Sequence, residues 1–369
     1  MKNKKISSIQ LSSILLMITI ASFSGIGIFS IVKASGIDAY LSVLIAGIIG
    51  VSYLLIYFYV ADYEPDLQLG EKTKKIFGQK IGFIINIVLA CLILTLGINI
   101  MFNLTNFIVS QFLPETPNYI VGLLFAIITI YANIKGIETI ARTSFILMIL
   151  MLILYIITVF GLLPSFDKSN LMPFLEHGFN RPFHGAYYIL TVNLASMFNL
   201  LVIPKNQLHD SKRLKTYMSI MYVLSIIMLF IIAVLTLGNL GIYLASIYQY
   251  PEYIVLKRIK IFNFIDRIEN ILTIQFIFSM FISLCFGIYS VGNILKPHHK
   301  SKLLTMSLTF LILIVSLLAF HNNTIFNNYT YYIVPYIRIA FVLMIFGIAL
   351  IIYIKRIMIK KSRRDYYVK

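Results

Sequence analysis

Thr95, Asn99, Asn103, Asn106 and Ser110 follow one another at intervals of four, four, three and four residues inside a long apolar run. At helical pitch these five side chains share one face. Gln275, Ser279, Ser283 and Gly287 repeat at intervals of four in a second apolar run, as a stripe of small and polar groups. Neither row carries a charge. Amides and hydroxyls so arranged suit a cavity that hydrogen-bonds a small zwitterion; the plainer alternative is glue between helices, worth about 0.6 kcal/mol per contact. A third interruption, Ser24-Gly25-Ile26-Gly27, stands in the middle of the first apolar run. Each interior glycine costs about 1 kcal/mol against alanine, so two glycines beside a serine favour local unwinding. Unwound backbone inside a bilayer needs protein, water or a ligand to satisfy it, and a broken helix therefore points to a binding site near the midplane. Close helix packing through Gly25 and Gly27 is the other possibility. The stretch Thr191 to Asn199, polar and small but without Gly or Pro, is the candidate for a second break. Together these stretches give a candidate ligand-binding set of Ser24, Gly25, Gly27, Asn99, Asn103, Asn193, Ser196, Ser279 and Ser283.

Such residues must be held by membrane helices. Hydrophobic residues make up 59% of the chain, charged residues only 12%, and the mean hydropathy is +0.89. Soluble domains carry about 25% charged residues. Apolar runs of spanning length fall at 11–32, 38–60, 81–112, 119–134, 143–163, 184–203, 217–240, 270–295, 303–320 and 335–354, which predicts an all-α integral membrane protein with ten transmembrane helices. The lysines ahead of the first run resemble a signal peptide. The run is too long for one and no small-residue cleavage pattern follows, so it is read as the first span. With the N-terminus inside, the outside loops hold only Lys33, Lys168, Arg181, Lys257, Arg258, Lys260 and Arg267, and the other loop and tail lysines and arginines fall inside. The positive-inside rule then places both termini in the cytoplasm. The second to fourth spans recur as the seventh to ninth about half a chain later. This spacing predicts a single transmembrane domain built as a 5+5 inverted repeat, with halves near 10–163 and 184–354, broken first and sixth helices, and a basic tail over 355–369.

Several function classes drop out. The net charge of +17 is spread over loops and tail instead of lining one soluble face, so it indicates an anionic membrane surface, not nucleic acid. Gly25-x-Gly27 lacks the context of a dinucleotide site, no Walker motif occurs, and no cofactor is expected. Cys91 and Cys285 lie inside apolar runs, and His298-His299 has no carboxylate or cysteine near it in sequence, so neither a disulfide nor a metal site is expected. The spans hold almost no ionisable groups. His184 and Arg338 sit near the starts of the sixth and tenth spans, where both are expected to reach the interface, and no carboxylate or lysine lies at mid-depth. Proton coupling normally needs such a group, whereas sodium coupling can rely on carbonyls and hydroxyls. Between the seventh and eighth spans, Pro251 to Ile259 is amphipathic; it either lies over the site as a lid or rests on lipid headgroups.

Ile6-Ser7-x-x-Gln10, the Ser24-Gly25-Ile26-Gly27 break, Gly136-Ile137-Glu138-Thr139-Ile140-Ala141-Arg142, Asn170-Leu171-Met172-Pro173-Phe174 with Gly178, and Asp266-Arg267-Ile268-Glu269 occur in that order along the chain. In these pieces and their spacing the chain resembles the B subunit of the spore germinant receptors, in the amino acid–polyamine–organocation superfamily. The resemblance implies a leucine-transporter-like fold in the spore inner membrane. It also implies recognition of a small germinant, commonly an amino acid, and a complex with an A subunit and a lipoprotein C subunit. Carried onto this chain, it sets the ligand against the Gly25–Gly27 break, the middle of the sixth span, and the inward faces of the third and eighth spans. Members often carry an acid in the sixth span; this chain has Asn193 and Asn199 there. A secondary amino acid transporter on the same fold is the alternative, and a subunit that conducts water or ions without binding a ligand is a third class.

Overall fold

The computed structural model describes residues 6–23, 26–176, 178–258, 269–296 and 301–367. Ser24, Gly25, Asp266, Arg267, Ile268, His298 and His299 lie outside the described residues. The first span is two helices, α1 (Ser8–Phe23) and α2 (Ile26–Ser35). A 3-10 turn over Gly36–Asp38 leads from α2 to α3 (Ala39–Ala61). Gly36 takes a φ of 66°, a left-handed conformation that glycine adopts without steric cost. The chain continues through α4 (Leu69–Phe77), α5 (Gln79–Phe112), α6 (Asn118–Lys135) and α7 (Ile137–Leu162), then α8 (Asn180–Tyr188), α9 (Leu214–Ile247) and α10 (Pro251–Arg258). It ends in α11 (Glu269–Leu295), α12 (Lys302–Ala319), α13 (Asn323–Tyr332) and α14 (Val334–Tyr367).

Among the described residues, nine stretches are long and apolar enough to cross a membrane, and Ser8–Phe23 is a shorter apolar helix beside them. One of the nine, Gly27–Ala61, runs through the Gly36 turn and so contains α2 and α3. With α1 and α2 taken as one broken span, the expected ten remain. Ile48, Leu55, Ile127, Phe160 and Leu343 are well exposed on the flanks, as a hydrocarbon surround requires. Inside, small residues let helices approach closely. A Cβ on Gly50 would lie 2.4 Å from the Tyr222 hydroxyl and 2.5 Å from Leu194, and that hydroxyl donates to the Gly47 carbonyl at 2.6 Å.

The sixth span departs from the α-helix as expected, without the help of Gly or Pro. After α8 the chain forms a π-helical turn, Ile189–Asn193, and then a 3-10 segment, Leu194–Val202. Thr191 donates back to the Tyr187 carbonyl at 2.8 Å. Such back-bonding gives the backbone an alternative to the regular ladder, and π turns recur at functional sites. Several boundaries differ from expectation. α7 begins at Ile137, so the Glu138–Arg142 ion pair lies on a helix and not in a loop. α9 runs beyond 240, across a kink at Gly241 (φ 68°). α14 continues through Tyr367, so the basic tail prolongs a helix.

Connections at one end of the bundle lock together. The Ile6 amide donates to the Gln207 carbonyl and the His209 amide donates to Ile6, both at 3.0 Å. The Ser8 amide caps onto the Asp210 carboxylate at 2.6 Å. Asp62 accepts from both Lys205 and Lys215. Burial works against the Asp62 charge, but these two ammonium groups hold its carboxyl below the usual range. Lys72 on α4 is buried, and its ammonium donates to the Val60 and Ala61 carbonyls at 2.8 and 3.3 Å. Burial, then the Lys205 charge, lowers its pKa from 10.5 to about 8. Between those two values the unfolded chain holds the proton that the folded chain has lost, so this group makes stability rise with pH across that window. Thermal unfolding of the detergent-solubilised protein, followed from neutral to alkaline pH, should show the wild type gaining on a Lys72→Met variant above about pH 8. Parallel curves would contradict this account.

Candidate functional site

The first span is divided where α1 ends at Phe23 and α2 begins at Ile26. The two halves approach so closely that a Cβ on Gly27 would sit 2.6 Å from the Ser22 carbonyl oxygen. Only glycine fits there without a backbone shift. Ala21, Ser22 and Gly27 form one wall of a cavity near the centre of the bundle. Leu96, Asn99, Ile100 and Asn103 of α5 form the second wall, and Tyr188 and Val192 of the broken sixth span the third. Phe326 and Thr330 of α13 and Val334 of α14 close it. The space open to water centres is about 40 Å³, room for roughly three waters at 10–15 Å³ each.

The lining is apolar with a few polar atoms turned inward, the usual make-up of a small-molecule site. Asn99 Oδ1 and Thr330 Oγ1 are buried and without hydrogen-bond partners. Asn103 Oδ1 accepts from the Tyr250 hydroxyl at 3.2 Å. That hydroxyl in turn accepts from Asn106 Nδ2 at 2.9 Å. Burial raises the Tyr250 pKa, so the phenol keeps its proton for Asn103. The Tyr250 ring meets Phe107 edge-on at 4.8 Å, and Phe107 also contacts Tyr253 and Phe276. Tyr253, Val255 and Leu256 of α10 are buried. Of the two expectations for this stretch, the described part of α10 packs on the bundle and is not spread over lipid headgroups.

Gly27, Asn99 and Asn103 of the expected set therefore come together. The others have different surroundings. Asn193 is fully buried with neither amide atom bonded, while its neighbour Val192 lines the cavity. Ser196 accepts a hydrogen bond from Arg338. On α11 the small-polar stripe packs among α1, α5 and α7, and none of its members lines the cavity. Gln275 donates to Thr158 at 2.8 Å, and Ser279 donates to the Phe276 carbonyl at 3.1 Å. Ser283 Oγ is buried and unbonded. At the Gln275 end this row behaves as interhelical glue. Thr95 turns to the Leu92 carbonyl, and Ser110 lines a separate outer crevice with Tyr248 and Asn323.

Arg338 corrects the expected charge inventory. It does not reach the interface but is fully buried, and the reason is the face it occupies on α14, shared with buried Val334, Phe341 and Val342. Its Nη2 donates to Ser196 Oγ at 2.9 Å and its Nη1 to the Leu92 carbonyl at 3.5 Å. The guanidinium lies 5.4 Å from the Phe341 ring centre, and its buried Nε has no partner. α13, which supplies Phe326 and Thr330, was also missed, because it is short and polar. Asn322 ahead of it caps the Ile325 amide, a signal readable in sequence. Among the described residues no group of three or more His, Cys, Asp or Glu could hold a metal ion.

The model of a protein family described as "Spore germination protein" matches residues 5–325. Spore germination protein XB of Bacillus anthracis is 25% identical over 291 residues, covering 76% of this chain and 79% of that protein. Spore germination protein KB of Bacillus subtilis (strain 168) is 24% identical over 344 residues, covering 90% and 89%. Among solved structures, a Na+-coupled sialic acid symporter in a substrate-bound outward-open state superposes with a TM-score of 0.64 at 12% identity, covering 95% of this chain and 78% of that one. A manganese transporter from Eremococcus coleocola gives a TM-score of 0.61 at 10% identity, covering 93% and 85%. At such identities the likeness shows the fold alone, a leucine-transporter-like one.

Proposed function

Because this chain belongs to the spore germination protein family, we propose that it is the membrane-embedded subunit of a germinant receptor, which binds an amino acid in the central cavity and so triggers germination. The observation that carries the reading is the cavity itself. Gly27 beside the division of the first span, the unpaired oxygens of Asn99 and Thr330, and Asn103 line one small space, and Asn103 is tied from behind to Tyr250 and through it to Asn106. Ligand binding favours the closed arrangement of α10 over an open one by its difference in affinity for the two, and signalling needs no solute to cross. The chain is an integral membrane protein. Its site in the spore inner membrane, cytoplasmic termini, an A subunit and a lipoprotein C subunit as partners, a two-repeat division near 10–163 and 184–354, and the lack of any catalytic step belong to the same proposal. Asn193, Ser196, Ser279 and Ser283 then support the broken sixth span and its neighbours, while Gly27, Asn99 and Asn103 face the ligand; Ser24 and Gly25, outside the described residues, stay in the proposed set by sequence alone.

The test is dipicolinic acid release from spores with and without the gene, challenged with single amino acids. Loss of the response to one or a few is expected. Persistence of every response after the other receptor genes are deleted would overturn the reading. A secondary amino acid transporter on the same fold is the second reading. Amino acid counterflow into liposomes containing this chain alone would establish it.

A further inference from the structure

Leu96, Val192 and Val334, on three different helical segments, all line the central cavity. Leu92, Ser196 and Arg338 stand four residues from them, one helical turn each, all displaced toward the lysine-rich end of the bundle, and these three are joined by the Arg338 hydrogen bonds. The guanidinium thus sits about one helical turn from three residues that line the cavity and is not itself part of its wall. A guanidinium carries its charge wherever it sits, and a buried charge without an opposite charge is costly. Among the described residues no carboxylate comes within ion-pair distance of Arg338. Ser196 and the Leu92 carbonyl offer it only dipoles, and its Nε has no partner at all. By contrast, the acceptors left open around the cavity are neutral oxygens, Asn99 Oδ1 and Thr330 Oγ1.

We propose that Arg338 is the carboxylate anchor of the binding site, so that the cavity takes its ligand with the carboxylate toward Arg338 and the ammonium toward Asn99 and Thr330. The inference rests on the germinant-binding reading above and gives that ligand a chemical class and an orientation. A carboxylate matches the planar guanidinium fork and supplies the missing counter-charge. An ammonium can donate to the Asn99 amide oxygen and to the Thr330 hydroxyl oxygen, both of which accept. A neutral sugar or nucleoside would leave the cation unpaired.

The full chain, purified in detergent, is titrated with L-alanine, L-valine and L-asparagine, with their carboxamide counterparts, and with inosine and glucose. At least one amino acid is expected to bind, its amide at least tenfold more weakly. Arg338→Gln is expected to lose at least tenfold in affinity for the same amino acid, and Arg338→Lys, which keeps a cation but not the planar fork, to lose less than Arg338→Gln. If Arg338→Gln does not fold, the acid-against-amide comparison on the wild type decides alone. Equal binding of acid and amide, or undiminished binding by a folded Arg338→Gln protein, overturns the anchor and leaves the receptor reading standing. Binding of inosine or glucose without any amino acid overturns the anchor and, with it, the amino acid as the receptor's ligand. Absence of binding by every compound overturns both.

Discussion

Replacing Gly27 with leucine is expected to abolish the response to germinant while the protein still accumulates in the membrane. The new Cβ would meet the Ser22 carbonyl oxygen at 2.6 Å. That atom is backbone and has no rotamer to escape into, so the two halves of the first span must part. Forcing extra volume into a packed site costs about 1–3 kcal/mol, and here the cost falls on the junction that shapes one wall of the cavity. Flanking apolar helix is untouched, so insertion should be normal. Membrane immunoblots paired with dose-response curves check both halves of the statement. A leucine variant with wild-type sensitivity would sink the account of the break.

Tyr250→Phe is expected to raise the germinant concentration needed for half-response by about tenfold. The substitution keeps the ring that meets Phe107 and removes one oxygen. Asn106 then loses its acceptor and Asn103 its donor, both in buried positions. Stranding a buried polar group costs about 1–3 kcal/mol. Since the latch exists only with α10 seated, that cost falls on the closed state, and apparent affinity drops in proportion to the closed fraction. The readout is the midpoint of dipicolinic acid release. An unchanged midpoint would mean that the lid does not take part in recognition.

Much of this was readable in the sequence. The broken first helix followed from two glycines in a run that otherwise favours bulky apolar residues, and the helical rows on α5 predicted that Asn99, Asn103 and Asn106 would face inward together. The α11 row shows the limit of such a pattern: a stripe at intervals of four shows that a face is shared but not what covers it, and α11 packs on α1, α5 and α7. α4 and α13 escaped a search for apolar runs because neither is long or apolar enough to span. Arg338 escaped because distance from the end of a span measures depth and not direction. A long side chain at that depth reaches water if its face is free. On α14 that face is turned inward, against the sixth span and α5.

The parallel pairing of Ile6 with Leu208, together with the Ser8–Asp210 cap, fastens the start of the first span to the segment that follows the sixth. The two broken helices therefore share a yoke at the end of the bundle opposite the lid. A tilt of either one drags the other, as two oars on a single handle move together.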